Sequence, residues 1–421
     1  MTGLLRPVTA LLLSASILMM GNGLFGVLVP IRANIEHFSS YDIGLMGSSH
    51  FAGLIIGCLL WPRVIGTVGH IRAFAALTAL ATMTPLLHAI WAVAPVWWIL
   101  RALNGLVFAG LFMIIESWLT GASQPETRGR VLGAYAMTNL TVVTGGMLLI
   151  RRKNPPYVGH YALPGGFVDV GAAVPIALTP RSAPQPPPRA KMRLGWLMTV
   201  SPAAVFGCFA AGIVNSGFWT FSPLFAQGAG LSVRDTSLFM SLCVLGGAIS
   251  QWPIGRLSDQ LGRRAVGIVV CTVAAAGGAS LYLMANNGAA VLFLLGALYG
   301  AMAFTVYTLC VAHANDLVHR KRAVEVSSGL LLVFSVGAIL GPMMASALMQ
   351  AFGHGGLFLH TAIAHASIAI VMLLRVQVRP KLPTARTEPF VVVPKTTPAV
   401  FELDPRADQS SEAPKEAATA R

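Results

Sequence analysis

Apolar runs of about 20 residues recur along this chain, and no other feature restricts its folding so strongly. A run of that length crosses the hydrocarbon core of a bilayer as a helix, where the backbone has to satisfy its own polar groups. Runs near 8–30, 43–62, 73–94, 96–119 and 131–150 predict five helices. Runs near 197–226, 235–254, 265–286, 289–313, 324–350 and 356–375 predict six more. Only 10% of the 421 residues are charged and 55% are hydrophobic, against roughly 25% charged in a soluble domain. The first run follows Arg6 and shows no small-residue cleavage site, so it reads as a retained first helix and not as a signal peptide.

Cys58, Cys208, Cys243, Cys271 and Cys310 all fall inside apolar runs and form no CxxC pair. They read as packing residues, and no metal or cofactor is expected. The formal charge of +14 could suggest a nucleic-acid partner. Its distribution excludes one, because the basic residues cluster in short loops, as they do on the cytoplasmic face of a membrane protein. The clusters are Arg63–Arg72, Arg128–Arg130, Arg189–Arg193, Arg256–Arg264, Arg320–Arg322 and Arg375–Lys381. With a cytoplasmic N-terminus and twelve crossings, every cluster is cytoplasmic. With eleven, the three clusters of the second half fall outside.

The two halves echo each other at an offset near 195 residues. "GNGLF" at 21–25 resembles "NSGFW" at 215–219, "ALNG" ending at Gly105 matches "ALYG" ending at Gly300, and the Gly145 region matches Gly341–Pro342. A long parallel repeat in a helical membrane protein predicts two related bundles facing a central path. Six helices per half is the natural count. The last run, carried back by the offset, places the missing helix at about 161–180. The expected fold is therefore all-α, with two six-helix bundles: residues 1–150 and 196–375, eleven clear helices and a disrupted twelfth. Residues 179–195, rich in proline, read as a cytoplasmic linker, and residues 376–421 as a disordered cytoplasmic tail.

In the loop after the eighth span stands "GRLSDQLGRR", Gly255 to Arg264. It resembles the loop signature of the major facilitator superfamily, G-x-L-x-D-x-x-G-R-R, at full spacing, with Gly255, Asp259, Gly262, Arg263 and Arg264 in the signature positions. The first-half counterpart, Pro62 to Arg72, is degenerate, keeping Gly69 and Arg72 but holding Gly66 where the aspartate belongs. Arg101 and Gly105 in "RALNG" match a second family feature, R-x-x-x-G in the fourth span. The resemblance covers residues 1–150 and 195–375. It implies a secondary transporter whose two bundles rock around a midplane site for a small molecule.

Several polar residues inside spans are candidates for that site. Arg101, with Asn104 beside it, needs a partner or a wet cavity and is a candidate for substrate contact or proton coupling; a snorkelling residue near the interface is the alternative. Asn22, Asn139, Asn215 and Gln251 can face the path or serve as interhelical glue. Trp219 and Tyr299 can line it or simply pack, and His313 can titrate in a coupling step or hydrogen-bond between helices. Glu116 and Asp316 end the fourth and tenth spans and can meet loop arginines as an inner-face gate. The scarcity of ionisable groups at mid-membrane favours a neutral or amphipathic substrate, with protons as a candidate coupling ion.

Residues 151–171, "RRKNPPYVGHYALPGGFVDVG", differ from their surroundings. With the preceding "LLI" they resemble the entrance to a Nudix hydrolase segment. That family's motif then supplies glutamates for a divalent metal. Here the glutamate positions fall on Ala172, Arg181, Pro184 and Gln185, and Asp169 is the only acidic residue between Glu126 and Asp235. As a helix the stretch is poor, broken by Pro164, Gly165, Gly166, Gly171 and Pro175, and Asp169 at its centre costs about 3 kcal/mol on insertion scales. It reads as a replacement of most of the sixth helix that weakens the fold between the bundles and impairs transport. The expectation is a monomeric small-molecule transporter of a bacterial inner membrane, with both termini cytoplasmic and no enzymatic activity. A membrane-anchored nucleotide hydrolase and a non-transporting receptor or scaffold are the alternatives.

Overall fold

The computed structural model describes residues 2–123, 128–147, 194–318, 322–378, 390–392 and 394–404. The helices are α1 (Thr2–Ile35), α2 (Ser40–Val68), α3 (His70–Ile90), α4 (Ala94–Ala122), α5 (Arg128–Met147), α6 (Leu194–Val200), α7 (Pro202–Gly228), α8 (Val233–Leu261), α9 (Arg263–Leu283), α10 (Ala289–Ala303), α11 (Val306–Asn315), α12 (Ala323–Phe352) and α13 (Gly356–Val378). A single 3-10 turn, Pro398–Leu403, follows. Among the described residues, ten helices are long and apolar enough to cross a membrane, counting α10 and α11 as one span.

The expected helices appear in the expected order, with two breaks that the runs did not show. The span near 197–226 divides into α6 and α7 at Ser201, where Pro202 lacks an N–H and pushes its predecessor out of helical geometry. The span near 289–313 divides into α10 and α11 at Phe304–Thr305. Residues 148–193, which hold the expected sixth-helix region, most of the linker and the Nudix-like stretch, lie outside the described residues.

The repeat is legible in backbone detail. Ser39 caps α2 by accepting the Asp42 N–H, and Ser232 caps α8 by accepting the Asp235 N–H, both at 3.1 Å. Gly69 and Gly262 link α2 to α3 and α8 to α9 at φ +88° and +93°, where a side chain would be strained. In the first half Gly53 of α2 and Gly105 of α4 lie against each other's helix backbone, at Ala102 and His50. In the second half Gly246 of α8 and Gly300 of α10 do the same, at Ala297 and Cys243. Small residues let helices approach closely enough for dispersion and backbone contact to hold them where lipid supplies no hydrophobic drive.

Helices α1–α5 form one bundle and α6–α13 the other. They meet through α2 against α12, α1 against α7 and α5 against α8. At the end of the molecule holding Ser39, the contact is tight: Gly47 lies on Thr220 and Pro342, and the Ser48 hydroxyl donates to the Ile339 carbonyl at 2.6 Å. At the opposite end, where the basic loops gather, the 3-10 turn lies between the bundles, against α4 and α5 on one side and α12 on the other. This corrects the expectation of a disordered tail from residue 376. The α13 helix continues to Val378, and residues 390–392 and 394–404 pack into the protein. The average composition of the tail is polar, but it conceals the apolar run "PFVVVPKTTPAVFEL".

Candidate functional site

A cavity of about 280 Å³ lies between the bundles. Asn22 of α1, His50 of α2, Arg101 of α4 and Asn139 of α5 contribute its polar wall on one side, and Trp219 of α7 and Gln251 of α8 face them. The Arg101 Nη1 donates to Asn104 Oδ1 at 3.4 Å, and the guanidinium lies 5.7 Å over the Phe25 ring. Asn104 is buried, so it holds the arginine from behind. The His50 Nδ1 has no hydrogen-bond partner among the described residues. Gln251 Nε2 donates to the Phe304 carbonyl at 3.2 Å, at the break between α10 and α11, and its Oε1 is unpartnered among the described residues. Arg101, Asn22, Asn139, Gln251 and Trp219 are thus brought to one cavity. Asn215 is turned away and accepts the Trp219 indole N–H at 2.9 Å. Tyr299 packs edge-on against Phe358, and His313 is buried on α11; neither is in the cavity wall.

At the basic end the signature loop builds an ion network. Gly262 turns the chain at positive φ, which puts Arg263 at the first position of α9. Its Nη1 pairs with Asp259 Oδ1 at 2.6 Å and donates to the Ser258 hydroxyl at 2.8 Å, while Nε donates to Asp316 Oδ2 at 2.9 Å. Arg263 therefore ties α8, α9 and the end of α11 together. Arg264 is half-buried beside it. A single planar fork makes all three contacts, so Arg263→Ala is expected to lower stability by about 1.5–3 kcal/mol, the worth of charged hydrogen bonds. Arg263→Lys should restore only part of it. Thermal unfolding in detergent would read both. Among the described residues the first-half loop shows no equivalent network: His70 stands at Arg263's place and packs against Trp118, with ring centroids 5.8 Å apart.

Glu116 differs from the expectation that it meets a loop arginine. It is fully buried on α4, and among the described residues it accepts hydrogen bonds from hydroxyls: Tyr135 of α5 donates to Oε1 at 3.2 Å, and Thr396 and Thr397 of the C-terminal segment donate to Oε1 and Oε2. The physical reason is that Glu116, six residues before the end of α4, faces the gap that the segment fills. Lys395 projects over the rings of Phe304, Tyr307 and Phe334 at 5.4–5.9 Å. Burial lowers its ammonium to about 8 and raises the Glu402 carboxyl to about 7, with Arg128 opposing the latter. Sequence reasoning missed Tyr135, His50 and the segment 390–404. Tyr135 and His50 are single residues in apolar runs. The segment carried a signal in its apolar run, which tail composition averaged away.

Two bundles of one repeated design, apolar outside and polar where they face each other, define a helical membrane transporter. Residues 11–327 match the Major Facilitator Superfamily. The chain belongs to that family: it is a multi-pass secondary transporter, not an enzyme. It is 30% identical over 376 residues to the uncharacterized MFS-type transporter YcaD of Escherichia coli (strain UMN026), covering 88% of this chain and 96% of that protein. YcaD of Shigella flexneri is also 30% identical over 376 residues, with the same two shares. Among solved structures, the nucleoside transporter NupG superposes with a TM-score of 0.72 at 12% identity, covering 88% of this chain and 98% of that one. A bacterial homologue of the human lysosomal transporter Spinster, in an inward-facing and occupied conformation, superposes at 0.69 with 17% identity, covering 90% and 96%.

Proposed function

We propose that the cavity between the bundles is the substrate site and that the protein carries a small neutral or amphipathic molecule by alternating access. The observation that supports this is the convergence of Arg101, Asn22, Asn139 and Gln251 from both bundles on one enclosure. Met19, Phe51 and Phe112 supply apolar wall beside them. Such a lining suits a molecule with one polar, acceptor-bearing end. Nucleosides, the cargo named for NupG, are a reasonable first probe. The tight contact around Gly47 and the gap at the basic end correspond to a path that opens toward the basic face. On the positive-inside rule that face is cytoplasmic, in a bacterial inner membrane, with the N- and C-termini on it and the protein acting as a monomer.

Uptake of labelled nucleosides into proteoliposomes, with and without a proton gradient, tests the transport reading. Uptake no greater than in protein-free liposomes across a panel of small molecules would favour a receptor or scaffold. Glu116 is the buried acid suited to carry the coupling proton. Glu116→Gln is therefore expected to abolish gradient-driven accumulation while leaving exchange of substrate across the membrane within about threefold of wild type.

A further inference from the structure

The C-terminal segment is bound as a ligand would be. Its residues engage both bundles at once. On the α1–α5 side, Thr396 and Thr397 donate to the buried Glu116. On the α6–α13 side, the Phe390 N–H donates to Asp259 Oδ2 at 3.1 Å, its ring lies against Gly255 and 5.8 Å beneath the Arg263 guanidinium, and Lys395 stands over three aromatic rings. Val400, Phe401 and Leu403 are fully buried. The repeat does not call for this segment, since its last helix ends at Val378. Polar sequence flanks the run on both sides: "PTARTE" before it and "DPRADQSSEAPKEAATAR" after. Val392, Pro394, Lys395 and Thr396 are themselves part of the cavity wall.

We propose that residues 390–404 are a tethered plug, and that the gap between the bundles at the basic end is a peptide-binding groove that takes it. The groove recognises an extended segment by three features: hydroxyls for the Glu116 carboxylate, an ammonium for the Phe304, Tyr307 and Phe334 rings, and apolar side chains two to six residues beyond Thr397. While docked, the plug stands between the cavity and the basic end and ties together two bundles that have to separate for the path to clear. Transport then requires its release. This consequence rests on the transport reading; the docking itself does not.

The test uses the full chain in lipid nanodiscs. Phe401→Asp puts a charge at a buried position of the plug and alters no spanning helix, so the exchange of the helices' own amides checks that the bundles remain folded. Amide hydrogen exchange across 394–404 is expected to be at least about tenfold slower in the wild type than in Phe401→Asp, since docked amides exchange only on opening. A fluorescein-labelled peptide of residues 390–404 is expected to bind the Phe401→Asp chain at least about tenfold more tightly than the wild type, whose own tethered copy competes at high effective concentration. Equal exchange in the two chains overturns the proposal, as does a peptide that binds both alike or neither. Slow exchange and selective peptide binding without uptake of any substrate would instead remove the transport reading and leave the plug.

Discussion

Replacing Arg101 by alanine is expected to reduce substrate uptake in proteoliposomes by at least about tenfold, with the protein still folded. Among the described residues, the spanning helices bring no other arginine or lysine to the cavity wall. A hydrogen bond from a charged donor is worth about 1.5–3 kcal/mol, or a factor of about 10–150 in binding. Stability should hold, because its hydrogen bond to Asn104 is long, at 3.4 Å, and desolvating a guanidinium opposes folding. Arg101→Lys should recover part of the uptake, keeping the charge but losing the planar fork. The comparison of uptake with thermal unfolding of the same preparations decides the matter. Wild-type uptake in Arg101→Ala would remove the residue from the site.

Gly105→Val is expected to fail differently, by loss of folded protein. A Cβ at position 105 would fall on the His50 carbonyl, and the facing Gly53 has the same relation to Ala102. The two helices are held at backbone contact, so they would have to separate along their length to admit a branched side chain. Overpacking costs of this kind run to about 3 kcal/mol and occasionally more. In a membrane the lost close contact is not replaced by a hydrophobic drive. Gly133 of α5 provides the control: a Cβ there meets nothing within 4 Å, so Gly133→Ala should leave the unfolding temperature unchanged or slightly raised. The fraction of monodisperse protein on size-exclusion chromatography after mild heating reads both variants. Equal behaviour of Gly105→Val and wild type would contradict the described crossing of α2 and α4.

The helices were legible because length and hydropathy alone define a membrane span, and the repeat was legible because glycines at helix crossings tolerate no substitute. Gly105 and Gly300 matched in the sequence for the reason that they match in space. What could not be read were relations that cross the chain. Glu116 is 280 residues from Thr396, and nothing local to either predicts the pairing. Asn215 and Gln251 have similar contexts, yet one bonds a tryptophan of its own helix and the other faces the cavity. That outcome is fixed by helix rotation, and an all-round apolar helix does not encode rotation in its pattern. The break at Phe304–Thr305 was hidden for another reason: it contains neither proline nor glycine.

That break sets a backbone carbonyl against a side chain of the cavity wall. Where α10 stops and α11 begins, the carbonyl of Phe304 accepts the Gln251 side-chain N–H. Groups of this kind are supplied by every amino acid alike. A recognition surface built from them keeps its chemistry under side-chain exchange, so an alanine scan of α10 and α11 would pass over it. It would drift slowly in function while the side chains around it diverge. The residues most easily mutated along these two helices are therefore not a map of what a passing molecule touches.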